Sequence, residues 1–335
     1  MLCIKVPLKQ AEKIKKELIR NGLLDKEHMI ARDSQFIYFP IKKKFPTEHK
    51  IVFKMVGKRK LQSDLKKVLE SKLKPEELEL LKRSMDVIGS IAIIEIPTLL
   101  EKKEKLIAEE VLKNNRNIKT VLKKGRHEGV FRTQKLEYLA GEKTKEAVCK
   151  ENNVVIKLDV EKVYFSQRLS HERGRIASLV KKPEEVIVMF SGCGPYTCAI
   201  AKNTPAKYVT GVEINPEGHR YELQNILLNK LSSKAKACLG DVKDIMPKLE
   251  KKYDRIIMPL PKSAADYLDV ALKYANKNAI IHFYDFQKEG DFEKSIEKIK
   301  KACKTAKRKC KILGIVKCGQ SSPREFRICV DFEVI

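Results

Sequence analysis

An α/β protein is predicted, with a parallel, helix-covered sheet following two smaller α+β blocks. Three observations carry this. Apolar runs alternate with helix-compatible stretches at Val186–Phe190, Tyr208–Glu213, Ala235–Leu239, Arg255–Met258 and Ile280–Asp285, which is the signature of βαβ units. The first run feeds a turn containing Gly192 and Gly194, and the second ends on Glu213. The stretches Lys311–Val316 and Phe326–Val334 flank C-G-Q-S-S-P and read as a closing antiparallel hairpin.

The chain of 335 residues is long enough for two or three domains. Residues 1–57 form the first block: a strand (Leu2–Val6), a helix with Ala11, Ile14, Leu18 and Ile19 at helical spacing, and a strand (Gln35–Pro40). This block reads as an appended binding module or as a packing extension. Residues 58–153 open with a Lys-rich helical bridge. An apolar strand, Val87–Ile96, is ended by Pro97, followed by a helix over Thr98–Asn114 and a basic stretch, Val121–Gly129. Residues 154–335 hold the parallel sheet.

A hydrophobic fraction of 43% is enough for packed cores. Lys and Arg outnumber Asp and Glu by 70 to 44, a net charge of +26. The excess falls in clusters such as Lys42–Lys44, Lys58–Lys60, Lys123–Arg126 and Arg308–Lys311. Unbalanced charge of this size needs a polyanion, and nucleic acid is the expected partner. No apolar run reaches the length of a membrane span, and Met1 leads into a strand rather than a signal sequence, so a cytoplasmic location is expected. The nine cysteines contain no CxxC pair, with Cys193 and Cys198 close together. Buried reduced thiols, not a metal site, are expected.

In a sheet of this kind, ligands gather at the carboxyl ends of the strands. There the sequence delivers Ser191–Pro195, then Glu213, then Gly240-Asp241, then Pro259-Leu260-Pro261. The third glycine of the dinucleotide fingerprint is replaced by Thr197, which argues against a pyrophosphate-bearing cofactor. A glycine loop with an acidic strand end suits S-adenosylmethionine. Glu213 would grip the ribose, Asp241 would accept from the adenine amino group, and Val242 would offer a backbone donor. Taken alone, Asp241 reads more often as a helix cap or turn residue. Upstream, Val163–Ile176 packs two arginines and a glutamate just before the first core strand, with Tyr164-Phe165-Ser166 as a pocket-lining turn.

The segments V-Y-F-S-Q-R-L-S-H-E-R-G-R-I, M-F-S-G-C-G-P-Y, V-E-I-N-P, G-D-V, M-P-L-P-K-S and G-V-F-R-T-Q-K-L-E-Y-L-A-G occur in this chain. In them it resembles the archaeal and eukaryotic tRNA (guanine-37-N1)-methyltransferases, over essentially its whole length. The resemblance implies a class I S-adenosylmethionine-dependent, Rossmann-like catalytic domain behind two smaller α+β domains. It also implies a monomer that takes up tRNA at the anticodon loop and the outer corner, with no metal. Glu172 matches the general base for guanine N1, and Arg132 the guanidinium that stabilises charge at O6. Arg173 matches a residue at the cofactor's methionine carboxylate, and Tyr164 lines the same pocket. Phe190, Gly192, Gly194, Glu213, Ile214, Asp241, Val242, Pro259, Leu260 and Pro261 complete the implied cofactor site.

One departure concerns Pro259, where many relatives carry Asn. P-L-P resembles the archaeal branch that also methylates C7 of 4-demethylwyosine, a tricyclic intermediate of wyosine biosynthesis, to give isowyosine. Either the pocket admits that larger ring, or Pro259 only shapes the turn. Two alternatives stay open for the whole chain. One is an aminocarboxypropyl transferase of wyosine synthesis, which uses the same cofactor but breaks another sulfonium bond. The other is a non-catalytic tRNA-binding protein on a decayed fold.

Overall fold

The structure is a computed structural model describing residues 1–25, 27–57, 65–81, 85–128 and 133–335. Residues 129–132 of the G-V-F-R-T segment, Arg132 among them, and the Lys58–Lys60 cluster lie outside the described residues. The chain forms two compact units, Met1–Glu79 and Leu80–Ile335. Among the described residues no helix is long and apolar enough to cross a membrane.

In the first unit, Leu2–Pro7 pairs antiparallel with Phe36–Pro40 on one side and Ile51–Phe53 on the other. Helix Ala11–Arg20 covers this sheet, burying Ala11 and Leu18 among Ile4, Val6, Phe39 and Ile41. Ile14 packs at the edge of that cluster, whereas Ile19 faces solvent. The strand at Ile51–Phe53 has only three residues, too few for an alternation to show in sequence.

The second unit takes in what the sequence divides at residue 153. Ile88, Ile91, Leu122 and Leu136 share one apolar cluster with Val186, Val188 and Ile257 of the parallel sheet. Packing therefore makes one body of both blocks from Leu80 onward. The expected strand Val87–Ile96 is two strands, Asp86–Ile88 and Ile91–Ile94, paired antiparallel. Gly89, at φ +58°, turns the chain between them, a conformation that costs glycine little. The basic stretch of this block is itself a strand, Thr120–Glu128, between Ile91–Ile94 and Thr133–Gly141. Ahead of it, Thr98–Lys103 is a 3₁₀ turn leading into helix Glu104–Asn114. The hairpin Glu146–Glu151 and Val154–Asp159 leads toward the main sheet.

That sheet has seven strands: β1 (Glu185–Met189), β2 (Tyr208–Glu213), β3 (Ala235–Leu239), β4 (Tyr253–Met258), β5 (Ala275–Lys288), β6 (Cys310–Ser322) and β7 (Glu325–Val334). Their order is β3-β2-β1-β4-β5-β7-β6. β1 to β5 run parallel, and β7 returns antiparallel between β5 and β6. The helices are α1 (Ser170–Leu179), α2 (Pro195–Asn203), α3 (Pro216–Leu228), α4 (Val242–Lys248), α5 (Leu268–Lys273) and α6 (Glu293–Thr305). Chain order reverses between β1 and β4, which opens a crevice beyond their carboxyl ends.

Candidate active site

The loop after β1 enters with Phe190 at φ +62° and passes Gly192 at +59° and Gly194 at +77° before Pro195 starts α2. The two glycines answer to different neighbours. A Cβ on Gly192 would meet only the Tyr164 carbonyl oxygen, at 3.8 Å, whereas one on Gly194 would lie 2.7 Å from Glu222 Cγ. Gly192 therefore keeps a cavity open, and Gly194 makes room for a buried carboxyl. That cavity, about 310 Å³, is lined by the strand-end residues Phe190, Gly192, Glu213, Ile214, Asp241 and Val242, with Pro259 and Leu260. Tyr164, Ser166, Arg173 and Tyr196 close its other side. Pro261 and Gly194 are not on its wall.

Glu213 is buried at the end of β2. Its Oε2 accepts from Gly192 N–H at 2.6 Å and its Oε1 from Asn215 N–H at 2.8 Å. Burial pushes its carboxyl pKa up, and the N–H groups of Asn215, Gly192 and Ile214 oppose that. The carboxylate thus fixes the glycine loop to β2 and stands on the cavity wall. Asp241 caps α4, accepting from Lys243 N–H at 2.7 Å through Oδ1. Its Oδ2 receives the Tyr267 hydroxyl at 3.4 Å. Tyr267 in turn meets Phe190 edge-on, with centroids 4.8 Å apart. The cap and the cavity wall are the same residue.

Glu222 is a member of this site that sequence patterning does not flag. It is fully buried on α3 and hydrogen-bonds with Ser191 Oγ at 2.5 Å and Thr197 Oγ1 at 2.6 Å. Burial pushes its pKa up to about 8 against the pull of both hydroxyls, so at neutral pH it holds a proton. The signal available was Gly211 in mid-β2, where a Cβ would sit 2.0 Å from Glu222 Oε1. A glycine inside a strand marks such a close approach.

The two charged residues taken from the Val163–Ile176 segment are both held by protein partners. Arg173 lies on the cavity wall, but its guanidinium forks onto the buried Glu151. There Nη2 donates to Oε2 at 2.6 Å and also to the Ser166 carbonyl at 3.0 Å. Nη1 is the guanidinium nitrogen left without a partner among the described residues. Glu172 is not on the wall at all. Arg175 grips it with two bonds of 2.8 Å, and the Tyr284 hydroxyl donates to its Oε1 at 2.6 Å. The Tyr196 hydroxyl donates to Tyr284 at 3.0 Å, so a chain of two phenols joins the cavity wall to Glu172. Burial pushes both phenol pKa values far up, and both stay protonated. Cys318 also neighbours Glu172, its thiol raised by burial and by that carboxylate.

Beyond Arg175 the network continues to Asp331, at 2.6 Å, and His282. Asp331 is buried, yet His282 and Arg175 hold its carboxyl below the usual carboxylate range. His282, Cys329 and Asp331 lie close enough to suggest a metal site. Both ring nitrogens of His282 are already engaged, Nδ1 with Asp331 at 2.6 Å and Nε2 with Arg255 at 2.8 Å. The cluster is a buried ionic network that ties β5 to β7.

A second, larger cavity of about 700 Å³ adjoins the first and shares Val163 to Ser166, Leu169 and Arg327 with it. Its remaining wall includes Lys124, Thr133, Gln134, Arg168, Phe286, Cys318 and Gln320.

Comparison with known proteins places this geometry. The TRM5/TYW2 methyltransferase domain family matches residues 147–313, the TYW2 N-terminal domain residues 65–144, and the tRNA methyltransferase 5 N-terminal domain residues 3–48. The chain is 37% identical over 343 residues to the tRNA (guanine(37)-N(1))-methyltransferase Trm5b of Pyrococcus abyssi, covering 99% of each chain. The crystal structure of that protein superposes with a TM-score of 0.74 at 36% identity, covering 100% of this chain and 99% of that one. The chain is also 32% identical over 268 residues to the tRNA (guanine(37)-N(1))/4-demethylwyosine(37)-methyltransferase Taw22 of Nanoarchaeum equitans, covering 64% of this chain and 88% of that one. A complex of aTrm5 with tRNALeu superposes with a TM-score of 0.72 at 32% identity, covering 99% of both chains.

Proposed function

This chain belongs to the TRM5/TYW2 methyltransferase family, and from that membership we propose that it methylates N1 of guanosine-37 in tRNA with S-adenosylmethionine. The observation that carries the reading is the full-length match to a Trm5b enzyme, on a chain whose glycine-loop cavity opens beside a larger one. The residues fit the cofactor, because Gly192 leaves the cavity clear where any side chain would intrude. Bound there, S-adenosylmethionine supplies a methyl group on positively charged sulfur.

The chain's own residues then have three tasks. Glu213 and Asp241 hold the ribose and adenine, and Phe190, Ile214, Val242 and Leu260 exclude water from them. Arg173 keeps its place at the methionine end through Nη1, its other nitrogens being committed to Glu151 and Ser166. Glu172 takes the N1 proton, which must leave before N1 can attack. It does so at one remove, through Tyr196 and Tyr284, whose hydroxyls already donate toward it. Arg132 would oppose the charge growing on O6. We also propose a cytoplasmic site of action, with tRNA contacted at the anticodon loop and at the outer corner by the first unit.

Methylation of C7 on 4-demethylwyosine is the second activity proposed, because Pro259 lines the cavity without a side-chain amide to grip a guanine edge and Taw22 carries both activities in its name. The test is nucleoside mass spectrometry of guanosine-37 tRNA and of 4-demethylwyosine tRNA, each incubated with the protein and labelled cofactor. Methylguanosine and S-adenosylhomocysteine are expected. Methylthioadenosine as the coproduct would instead mean aminocarboxypropyl transfer.

A further inference from the structure

We propose that Arg327 is a second catalytic guanidinium, one that contacts O6 of the target purine as its N1 proton leaves. Arg327 stands on β7 opposite Phe286 of β5. Of the described cationic residues, it is the one that lines both cavities. Arg173 is spent on Glu151. Arg168 is paired with Asp86 at 2.7 Å and borders the larger cavity alone, as does Lys124. Arg327 pairs with no carboxylate among the described residues. Its Nη2 donates to the Tyr164 hydroxyl at 3.1 Å, its Cζ lies 5.4 Å from the Phe286 ring centroid, and its Nε is buried with no hydrogen-bond partner.

A guanidinium with no counter-charge beside a partly desolvated cavity favours an anion there. The Phe286 ring and the Tyr164 hydroxyl hold the group in one orientation, so little reorganisation is needed when charge appears. At the junction of the two cavities, the group that gains negative charge during the reaction is the purine. Loss of the N1 proton leaves an electron pair delocalised onto O6, and the proton departs toward Tyr196. The planar guanidinium can meet O6 through Nη1 without surrendering Tyr164.

The inference rests on the methyltransferase reading, and the experiment separates the two. Wild type, Arg327→Gln and Arg327→Lys are compared in single-turnover methylation of guanosine-37 tRNA across pH, with cofactor and tRNA affinities measured by titration calorimetry. A wild type that leaves guanosine-37 unmodified defeats the functional reading itself. With an active wild type, Arg327→Gln is expected to lower the saturated rate by about a hundredfold or more, the scale for losing one charge-stabilising donor. Its rate should recover as pH rises and guanine sheds its proton unaided, while cofactor affinity stays within about twofold and Arg327→Lys falls between. Wild-type rates in both variants would overturn the proposal. So would weakened cofactor binding with an unchanged saturated rate, which makes Arg327 a carboxylate anchor. Loss of tRNA affinity alone would overturn it too, by making Arg327 a phosphate contact. Unchanged calorimetric cofactor binding also certifies that a slow variant is folded.

Discussion

Replacing Glu222 with Gln should change how stability depends on pH, in a direction opposite to that of most carboxylates. The folded pKa is raised from 4.5 to about 8, with burial as the leading cause. Between those values the folded chain holds a proton that the unfolded chain has released, so stability falls as pH rises through the window and levels off above it. Each unit of separation is about 1.4 kcal/mol. A shift of this size makes the contribution about 5 kcal/mol from end to end, with no discount for solvent because the carboxyl is fully buried. Glutamine has the same shape and no charge. Its amide can donate to one of the Ser191 and Thr197 hydroxyls and accept from the other.

The assay is urea unfolding of the wild type and Glu222→Gln, followed by circular dichroism at about pH 5, 7 and 9. Groups such as His282 and Asp331 titrate alike in both proteins and cancel in the difference. The wild type should lose several kcal/mol relative to the variant between the lowest and highest pH. Parallel stability curves would refute the argument, because they would mean that the carboxyl ionises in the fold without cost.

Four further outcomes follow from the same geometry. Gly192→Ala should fold with about 1–2 kcal/mol of backbone strain and lose cofactor binding, whereas Gly194→Ala should lose stability through its collision with Glu222; calorimetry and thermal melts on the pair check this. Tyr284→Phe should cut single-turnover methylation by about ten- to a hundredfold with cofactor affinity intact, and an unchanged rate would mean the proton leaves by another route. Pro259→Asn should favour guanosine-37 over 4-demethylwyosine by about tenfold or more, read by nucleoside mass spectrometry on both tRNAs. Removing residues 1–79 should weaken tRNA binding and spare cofactor binding, while binding of tRNA by the full chain should fall steeply with salt.

What the sequence made legible was whatever depends on neighbours along the chain. The β-branched runs of β1 and β2 and the antiparallel closure by β6 and β7 follow from local period and turn chemistry. So does the arrival of Gly192, Glu213 and Asp241 at three successive strand ends. Less visible were features set by distant partners. Glu172 and Arg175 look like a solvated helical pair, yet Tyr284 and Asp331 reach them from 112 and 156 residues away and bury Glu172 behind the wall. Arg173 and Glu151, 22 residues apart, give no periodic signal either. Such a pair has to be kept whole, because removing one member strands a buried charge at a cost of roughly 3–5 kcal/mol. The turn at Gly89 was hidden because its flanks are apolar on both sides, and a continuous run looks the same whether it is one strand or two.

Thr197 shows how a departure from a motif can be informative twice. Its place belongs to the third glycine of a dinucleotide loop, and its presence there first argued against a pyrophosphate ligand. In the fold its hydroxyl hydrogen-bonds with Glu222 at 2.6 Å, beside the same carboxyl that Ser191 approaches and that Gly194 and Gly211 accommodate. Two hydroxyls and two glycines from three elements thus converge on one protonated side chain beneath the loop. A dinucleotide fold uses its third glycine to bring helix and strand together. This chain holds the glycine loop, α2 and β2 together with a buried acid from α3. The loop over the cavity is therefore held from below by Glu222 and from the side by Glu213, and Gly192 is left free to face the cavity.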